Sequence, residues 1–98
     1  MIFYFYVIQT KKTKNFYVGY TKLPKLSTRF QYYKNTFKHY QNTHKRFNPV
    51  FKLLKDDYYS CSIRLLEEFT CDTREELKKK HKEILLQYDN KCLNNLYA

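Results

Sequence analysis

Two apolar runs separated by a short polar segment occupy the first 21 residues, and this pattern constrains the fold more than any other feature. Residues 2–9, IFYFYVIQ, are aromatic and β-branched and predict a buried β-strand. The polar segment TKKTKN and a second strand-like run, FYVGYT, follow. Because six residues are enough to connect neighbouring antiparallel strands, we expect a β-hairpin.

Gly19, the only glycine in the chain, lies inside the second predicted strand. A glycine in a strand weakens packing and adds backbone entropy to the unfolded state. It therefore usually marks a β-bulge or a place where another group approaches the backbone closely. Both interpretations are open for Gly19.

Two helices are predicted after the hairpin. Pro24 ends the hairpin, and Ser27 is placed to cap a first helix over residues 28–41. Arg29 and Tyr33 are four residues apart and share a face of that helix. A proline suits the first turn of a helix, so the segment PVFKLLKDD predicts a short second one.

A third strand and a last helix complete the predicted order β-β-α-α-β-α in a single domain, residues 1–98. Tyr59, Cys61, Ile63 and Leu65 alternate with polar residues at the period of a strand. Asp72 or Thr73 then caps the most clearly periodic helix. Its apolar stripe consists of Leu77, Ile84, Leu85 and Tyr88.

The charge balance favours a polyanionic partner. Nineteen Lys and Arg oppose nine Asp and Glu, which gives a formal net charge of +10 on 98 residues. Neutralising phosphates releases counterions, so nucleic acid is the first expectation and an anionic membrane surface the second. Since the chain has no apolar run of about 20 residues and its start lacks a signal-peptide pattern, we expect a soluble, intracellular protein, cytoplasmic or nuclear. Three widely spaced cysteines indicate neither a disulfide framework nor a zinc ribbon.

Several segments occur in an order that resembles one known family. Residues 4–8, YFYVI, and 17–19, YVG, lie in the predicted hairpin, and Arg29 follows with Tyr33 one turn later. The later segments are NPVFKLLKDD, CSIRLLEEF, REELKKKHKEILL and, near the end, Asn94 or Asn95. Over nearly the whole chain this order is similar to the GIY-YIG nuclease superfamily. The first tripeptide of that signature keeps only its tyrosine, Tyr6.

The resemblance implies a sheet of three antiparallel strands flanked by three helices. It also implies hydrolysis of DNA phosphodiester bonds with one divalent metal ion, Mg²⁺ or Mn²⁺. Tyr17 would act as general base, Arg29 as clamp on the scissile phosphate, and Tyr6 and Tyr33 as a hydrogen-bonding wall. Taken alone, these tyrosines are more often core residues. A free phenol has a pKa of about 10, so Tyr17 needs a nearby cation or metal to act as a base near neutrality.

Further DNA contacts are predicted at the hairpin glycine, in the basic segments and near the end of the chain. Basic segments without a balancing acidic block suit contacts to phosphates. The predicted nucleic-acid contacts are Lys14, Gly19, His39, His44, Lys45, Arg46 and Asn94.

His81 occupies the position on the last helix where the resembled family has a metal-binding glutamate. It is four residues after Leu77 and three before Ile84, so it lies on the apolar stripe and faces the sheet. Two interpretations are open: a partly buried histidine with satisfied hydrogen bonds, or a metal ligand or proton carrier. As a ligand, imidazole favours softer metals than Mg²⁺.

Three functional hypotheses follow. The first is a GIY-YIG endonuclease acting on DNA, with Tyr6, Tyr17, Arg29, Tyr33 and His81 as its catalytic residues. The second is a nucleic-acid-binding protein of the same fold that has lost cleavage. The third is a basic adaptor for an acidic protein or membrane surface.

Overall fold

The computed structural model describes residues 1–11, 16–44, 48 and 50–87, and its elements follow the predicted order β-β-α-α-β-α. They are β1 (Ile2–Gln9), β2 (Phe16–Thr21), α1 (Leu26–Thr43), α2 (Val50–Asp57), β3 (Ser62–Thr70) and α3 (Arg74–Leu86). The sheet has the order β2-β1-β3 and is antiparallel throughout. The predicted α+β fold is confirmed.

Strand β1 lies in the middle of the sheet, so both of its faces are covered. Tyr6 and Ile8 point to one face, and Phe3, Phe5 and Val7 point to the other, because side chains alternate along a strand. All five are at most 4% exposed. Burial on both faces explains why the sequence of β1 is one continuous apolar run rather than an alternation of apolar and polar residues.

The helices divide between the two faces of the sheet. The face that carries Tyr6 packs against α1 and α2, and we call it the α1–α2 face. Its buried residues are Tyr6, Ile8, Tyr33, Phe37, Val50, Phe51, Leu53, Leu54 and Cys61. The opposite face packs against α3 and is called the α3 face. Its buried residues are Phe3, Phe5, Val7, Val18, Cys71, Leu77 and Ile84. Within the described ranges no helix is long and apolar enough to cross a membrane.

The predicted helix caps are right for α3 and wrong for α1. The Thr73 side chain accepts a hydrogen bond from the Glu76 backbone N–H at 3.2 Å, which selects Thr73 over Asp72 as the cap of α3. Helix α1 instead begins at Leu26, and Lys25 is its N-cap without a side-chain bond. The Lys25 carbonyl already accepts from the Thr28 N–H at 3.2 Å, so Ser27 lies inside the first turn, too late to cap it.

The predicted alternation in the third strand holds only in part. Cys61 is buried and Ile63 packs against the α1–α2 core, as expected. Tyr59 precedes β3 and is 94% exposed, while Leu65 is 50% exposed. Leu65 pairs with Tyr6 just before the register shift, so it still points to the same face as Ile63. It is half-exposed because β3 is an edge strand with incomplete cover.

The structure decides between the two interpretations of Gly19. The pairing of β1 with β2 runs without a shift from Tyr4 opposite Thr21 to Gln9 opposite Phe16, so Gly19 is not at a bulge. Tyr6 lies directly opposite Gly19, and its ring crosses the space that a Cβ atom would fill. Gly19 therefore allows a close approach to its backbone, and the group that approaches is Tyr6.

Replacing Gly19 with alanine tests this contact. The added Cβ would lie 2.9 Å from Tyr6 Cε1 and closer still to Cζ and the hydroxyl oxygen, so we expect Gly19→Ala to lower the free energy of unfolding by about 1–3 kcal/mol. Urea denaturation measures this. In a Tyr6→Ala background the clash is gone, and the same change should be neutral or stabilise by about 0.5–1 kcal/mol, the usual gain of alanine over glycine in a strand. An equal loss in both backgrounds would contradict the assignment.

Candidate functional site

Four of the five predicted catalytic side chains meet on the α1–α2 face. Tyr6 comes from β1, Tyr17 from β2, and Arg29 and Tyr33 from α1. Tyr17 pairs with Ile8, and Gly19 pairs with Tyr6, so Tyr17 and Tyr6 project from the same face of the hairpin. We call these four residues the tyrosine–arginine cluster.

Arg29 is held by the hydroxyls of two buried tyrosines. Its Nε donates to the Tyr6 hydroxyl at 3.2 Å, and its Nη2 lies 3.4 Å from the Tyr33 hydroxyl, to which it donates. The two hydroxyls share a hydrogen bond of 2.6 Å. Tyr6 and Tyr33 are 0% and 3% exposed, whereas Arg29 is half-buried. The two tyrosines therefore position the guanidinium, and Arg29 is the member of this trio that reaches the surface.

Two aromatic rings lie beside the Arg29 charge. Its guanidinium carbon lies 4.9 Å from the ring centroids of both Tyr32 and Tyr33. In the part of the chain that the structure describes, Arg29 forms no ion pair. Burial alone lowers its pKa, but the hydrogen bond to Tyr6 and the nearby Tyr33 hydroxyl outweigh burial, so the pKa of Arg29 is raised. Arg29 thus keeps a positive charge that no described side chain neutralises.

Tyr17 joins the cluster through Tyr33 and through Asn48, which the sequence analysis missed. The Tyr17 and Tyr33 rings pack edge to face at 5.9 Å, and the Tyr17 hydroxyl forms hydrogen bonds with the side chains of Tyr33 and Asn48. Asn48 Oδ1 accepts from the Val50 N–H at 3.0 Å at the start of α2. Its amide nitrogen remains to donate to Tyr17. An asparagine just before a helix start was the available signal, since asparagine is a preferred N-cap.

The environment of the tyrosines opposes ionisation. Burial raises the pKa of Tyr6, and its contact with Tyr33 raises it further, despite the opposing effect of Arg29. Burial and Tyr33 likewise raise the pKa of Tyr17 above its ordinary value. Both phenols are therefore protonated at neutral pH, and Tyr17 would act as a base only with a nearby cation or metal that lowers its pKa.

His81 lies on the other face of the sheet from the cluster. Its ring contacts Phe5 at 6.0 Å and Tyr20 at 5.1 Å between centroids, and its Nε2 lies 3.2 Å from the Val18 carbonyl oxygen, with which it forms a hydrogen bond. Phe5 pairs with Tyr20, and both pack in the α3 face. The sequence correctly placed His81 against the sheet, but the structure does not bring it together with Tyr17 or Arg29.

The residues around His81 do not fit the expected metal ion. Within residues 1–11, 16–44, 48 and 50–87, no three His, Cys, Asp or Glu side chains lie close enough to hold a metal. His81 also contributes a ring nitrogen to the hydrogen bond with Val18, and two aromatic rings pack beside it. This environment matches the first of its two interpretations, a partly buried histidine with a satisfied hydrogen bond.

The predicted nucleic-acid contacts are spread over the surface. His39 and His44 are exposed near the end of α1, and His44 is the left-handed C-cap, with a φ of 57°. At 1.5 Å per residue, His44 lies about 22 Å along the helix axis from Arg29. The Tyr6 ring covers Gly19, which leaves no room for a nucleic acid at that point. The predictions at Lys14, Lys45, Arg46 and Asn94 lie outside the described residues.

Comparison with known proteins adds no family to this geometry. No protein-family model, curated protein or solved structure matches the chain. The resemblance to GIY-YIG nucleases therefore depends on the sequence motifs quoted above.

The burial of His81 predicts a pH dependence of stability. Burial lowers the pKa of His81, and the hydrogen bond with Val18 offsets part of that effect. In the unfolded chain the pKa of His81 is about 6.5, so the unfolded chain binds a proton at His81 more readily than the folded chain. This contribution to stability is complete above about pH 6.5 and is lost as the pH falls from there toward the lower folded pKa.

Urea denaturation at pH 7.5 and 5.5 checks this expectation. His81→Phe keeps an aromatic ring on Phe5 and Tyr20 but cannot titrate, so its stability should fall less between the two pH values than that of the unchanged protein. His39→Gln removes an exposed histidine and should leave the fall intact. The prediction is wrong if His81→Phe and the unchanged protein lose equal stability.

Proposed function

We propose that this chain is a GIY-YIG-like domain that binds the phosphate backbone of DNA, with Arg29 as the central phosphate contact. The observation that carries the proposal is a half-buried, permanently charged Arg29 that two buried hydroxyls hold in place and that no described carboxylate neutralises. Leaving such a charge without a counter-ion is unfavourable, and an incoming phosphate supplies one.

Arg29 has donors left for a ligand. A guanidinium carries five N–H groups, of which the Tyr6 and Tyr33 bonds use two. Its planar fork matches the non-bridging oxygens of a phosphate, and fixing the side chain beforehand reduces the entropy lost on binding. Tyr6 and Tyr33 serve here as positioning residues behind the arginine.

DNA is the polyanion that the whole chain suits best. The net charge of +10 attracts a long array of phosphates, and the basic segments extend well beyond the cluster. The motif order that resembles a nuclease family favours DNA over an acidic protein or a membrane surface. With this partner the protein would act inside the cell, in the cytoplasm or nucleus.

Hydrolysis of the bound phosphodiester is the second candidate function. The observation in its favour is that Tyr6, Tyr17, Arg29 and Tyr33, predicted separately from motif order, lie in one cluster. Two observations favour binding without cleavage. The pKa of Tyr17 is raised, and the described residues around His81 do not form a metal site.

Salt-dependent binding tests the proposed phosphate contact. Affinity for duplex DNA should fall steeply with salt, and Arg29→Ala should weaken it about 10- to 100-fold, the range of a lost charged hydrogen-bonding group. The matched control is Arg64→Ala, which removes the same charge from an exposed position on β3 and should weaken binding no more than about threefold. Fluorescence anisotropy measures both, with circular dichroism to verify folding. Equal losses in the two variants would refute a special role for Arg29.

Plasmid nicking separates the two candidate functions. With Mg²⁺ at neutral pH we expect the unchanged protein to bind supercoiled plasmid without nicking it, because Tyr17 is protonated and His81 lies on the opposite face. Tyr17→Phe is the control, since it removes only the phenol oxygen. Nicking that depends on Mg²⁺ and disappears in Tyr17→Phe would establish hydrolysis in place of simple binding.

A further inference from the structure

A groove between α1 and the end of α2 combines an exposed aromatic ring with lysines. It has a volume of about 290 Å³, near the lower end of the range for small-ligand pockets. Its lining residues are Phe37, Lys38, Gln41, Leu54, Lys55, Tyr58 and Tyr59. The tyrosine–arginine cluster contributes none of these residues. None of the three functional hypotheses from the sequence gave the groove a role.

Tyr59 is the most exposed large hydrophobic residue in the described part of the chain, at 94%. Its ring nevertheless has a fixed neighbour, because Tyr58 packs against it edge to face at 5.2 Å. Tyr58 in turn stacks on buried Phe37 at 6.3 Å. The core thus supports an aromatic ring that is almost entirely exposed to solvent.

Lysines surround this aromatic layer. The ammonium groups of Lys34 and Lys38 lie 5.3 Å and 5.9 Å from the Tyr58 ring centroid. Lys38 and Lys55 are exposed and line the groove, and its described lining includes no carboxylate. An open ring supplies a stacking surface for a base, and the lysines supply contacts to its flanking phosphates, which is the combination that binds single-stranded nucleic acid.

We propose that this groove binds an unpaired nucleotide, with the base stacked on Tyr59 and the flanking phosphates against Lys38 and Lys55. This proposal extends the proposed function, because it adds a second DNA contact that is selective for single-stranded or opened segments. A paired base is already stacked inside the duplex and cannot lie on Tyr59. Stacking on an aromatic side chain also tolerates any base, so the groove would distinguish single-stranded from duplex DNA rather than one sequence from another.

The test compares a short single-stranded oligonucleotide with its duplex. In Tyr59→Ala the ratio of single-stranded to duplex affinity should fall about tenfold, the order expected for one lost base–aromatic stack. Tyr59→Phe keeps the stacking ring and should keep the ratio. Leu86→Ala, which removes an exposed apolar side chain from α3, is the control and should also keep it. An unchanged ratio in Tyr59→Ala overturns the proposal.

An abasic single strand isolates the stacking contact. The unchanged protein should bind it about tenfold more weakly than the normal strand, whereas Tyr59→Ala should bind the two strands equally. If abasic and normal strands bind the unchanged protein equally, the groove contacts phosphates alone and the proposal fails. Arg29→Ala separates this result from the main proposal, because loss of the central phosphate contact weakens both strand states while leaving their ratio intact.

Discussion

The contact between the Tyr6 ring and the bare backbone of Gly19 determines where the candidate site forms. Tyr6 is fully buried in the central strand, and its ring can lie across β2 only because residue 19 has no side chain. This places the phenol oxygen where Tyr33 and Arg29 reach it from α1. Helix α1 is therefore joined to the sheet by a polar network as well as by apolar packing. A larger residue at position 19 would displace the hydroxyl to which Arg29 donates.

Much of the fold and part of the site could be predicted from local sequence. A continuous apolar run predicts a central strand because both faces are buried, and Thr73 caps α3 through a bond that spans three residues. The shared face of Arg29 and Tyr33 follows from helical geometry alone. The failures have tertiary causes. The start of α1 depends on a backbone turn at Lys25, and the exposure of Leu65 depends on an uncovered sheet edge.

The position of His81 shows the limit of helical periodicity. The stripe on α3 correctly predicts that His81 faces the sheet, but it carries no information on which face of the sheet α3 covers. That choice depends on the path between β3 and α3, and in this structure it separates His81 from the cluster by the thickness of the sheet. Asn48 was missed for a related reason. Its contact with Tyr17 joins residues 31 positions apart, a relation that no local pattern contains.

The hydrogen bonds of the cluster make it better suited to holding a phosphate than to activating water. The Tyr33 hydroxyl bonds to Tyr6 and Tyr17, Arg29 donates to Tyr6 and Tyr33, and Asn48 bonds to Tyr17. The three hydroxyls are therefore already engaged, and burial keeps the phenols of Tyr6 and Tyr17 protonated. Turning Tyr17 into a base requires a water or a cation beside its hydroxyl, where Tyr33 and Asn48 already lie. Binding at Arg29 requires no such change, because the guanidinium is already charged, oriented and half-exposed. The proposed stacking of an unpaired base in the groove is consistent with this preference for binding, since recognition of an opened strand needs aromatic and cationic groups and no chemistry at the phosphate.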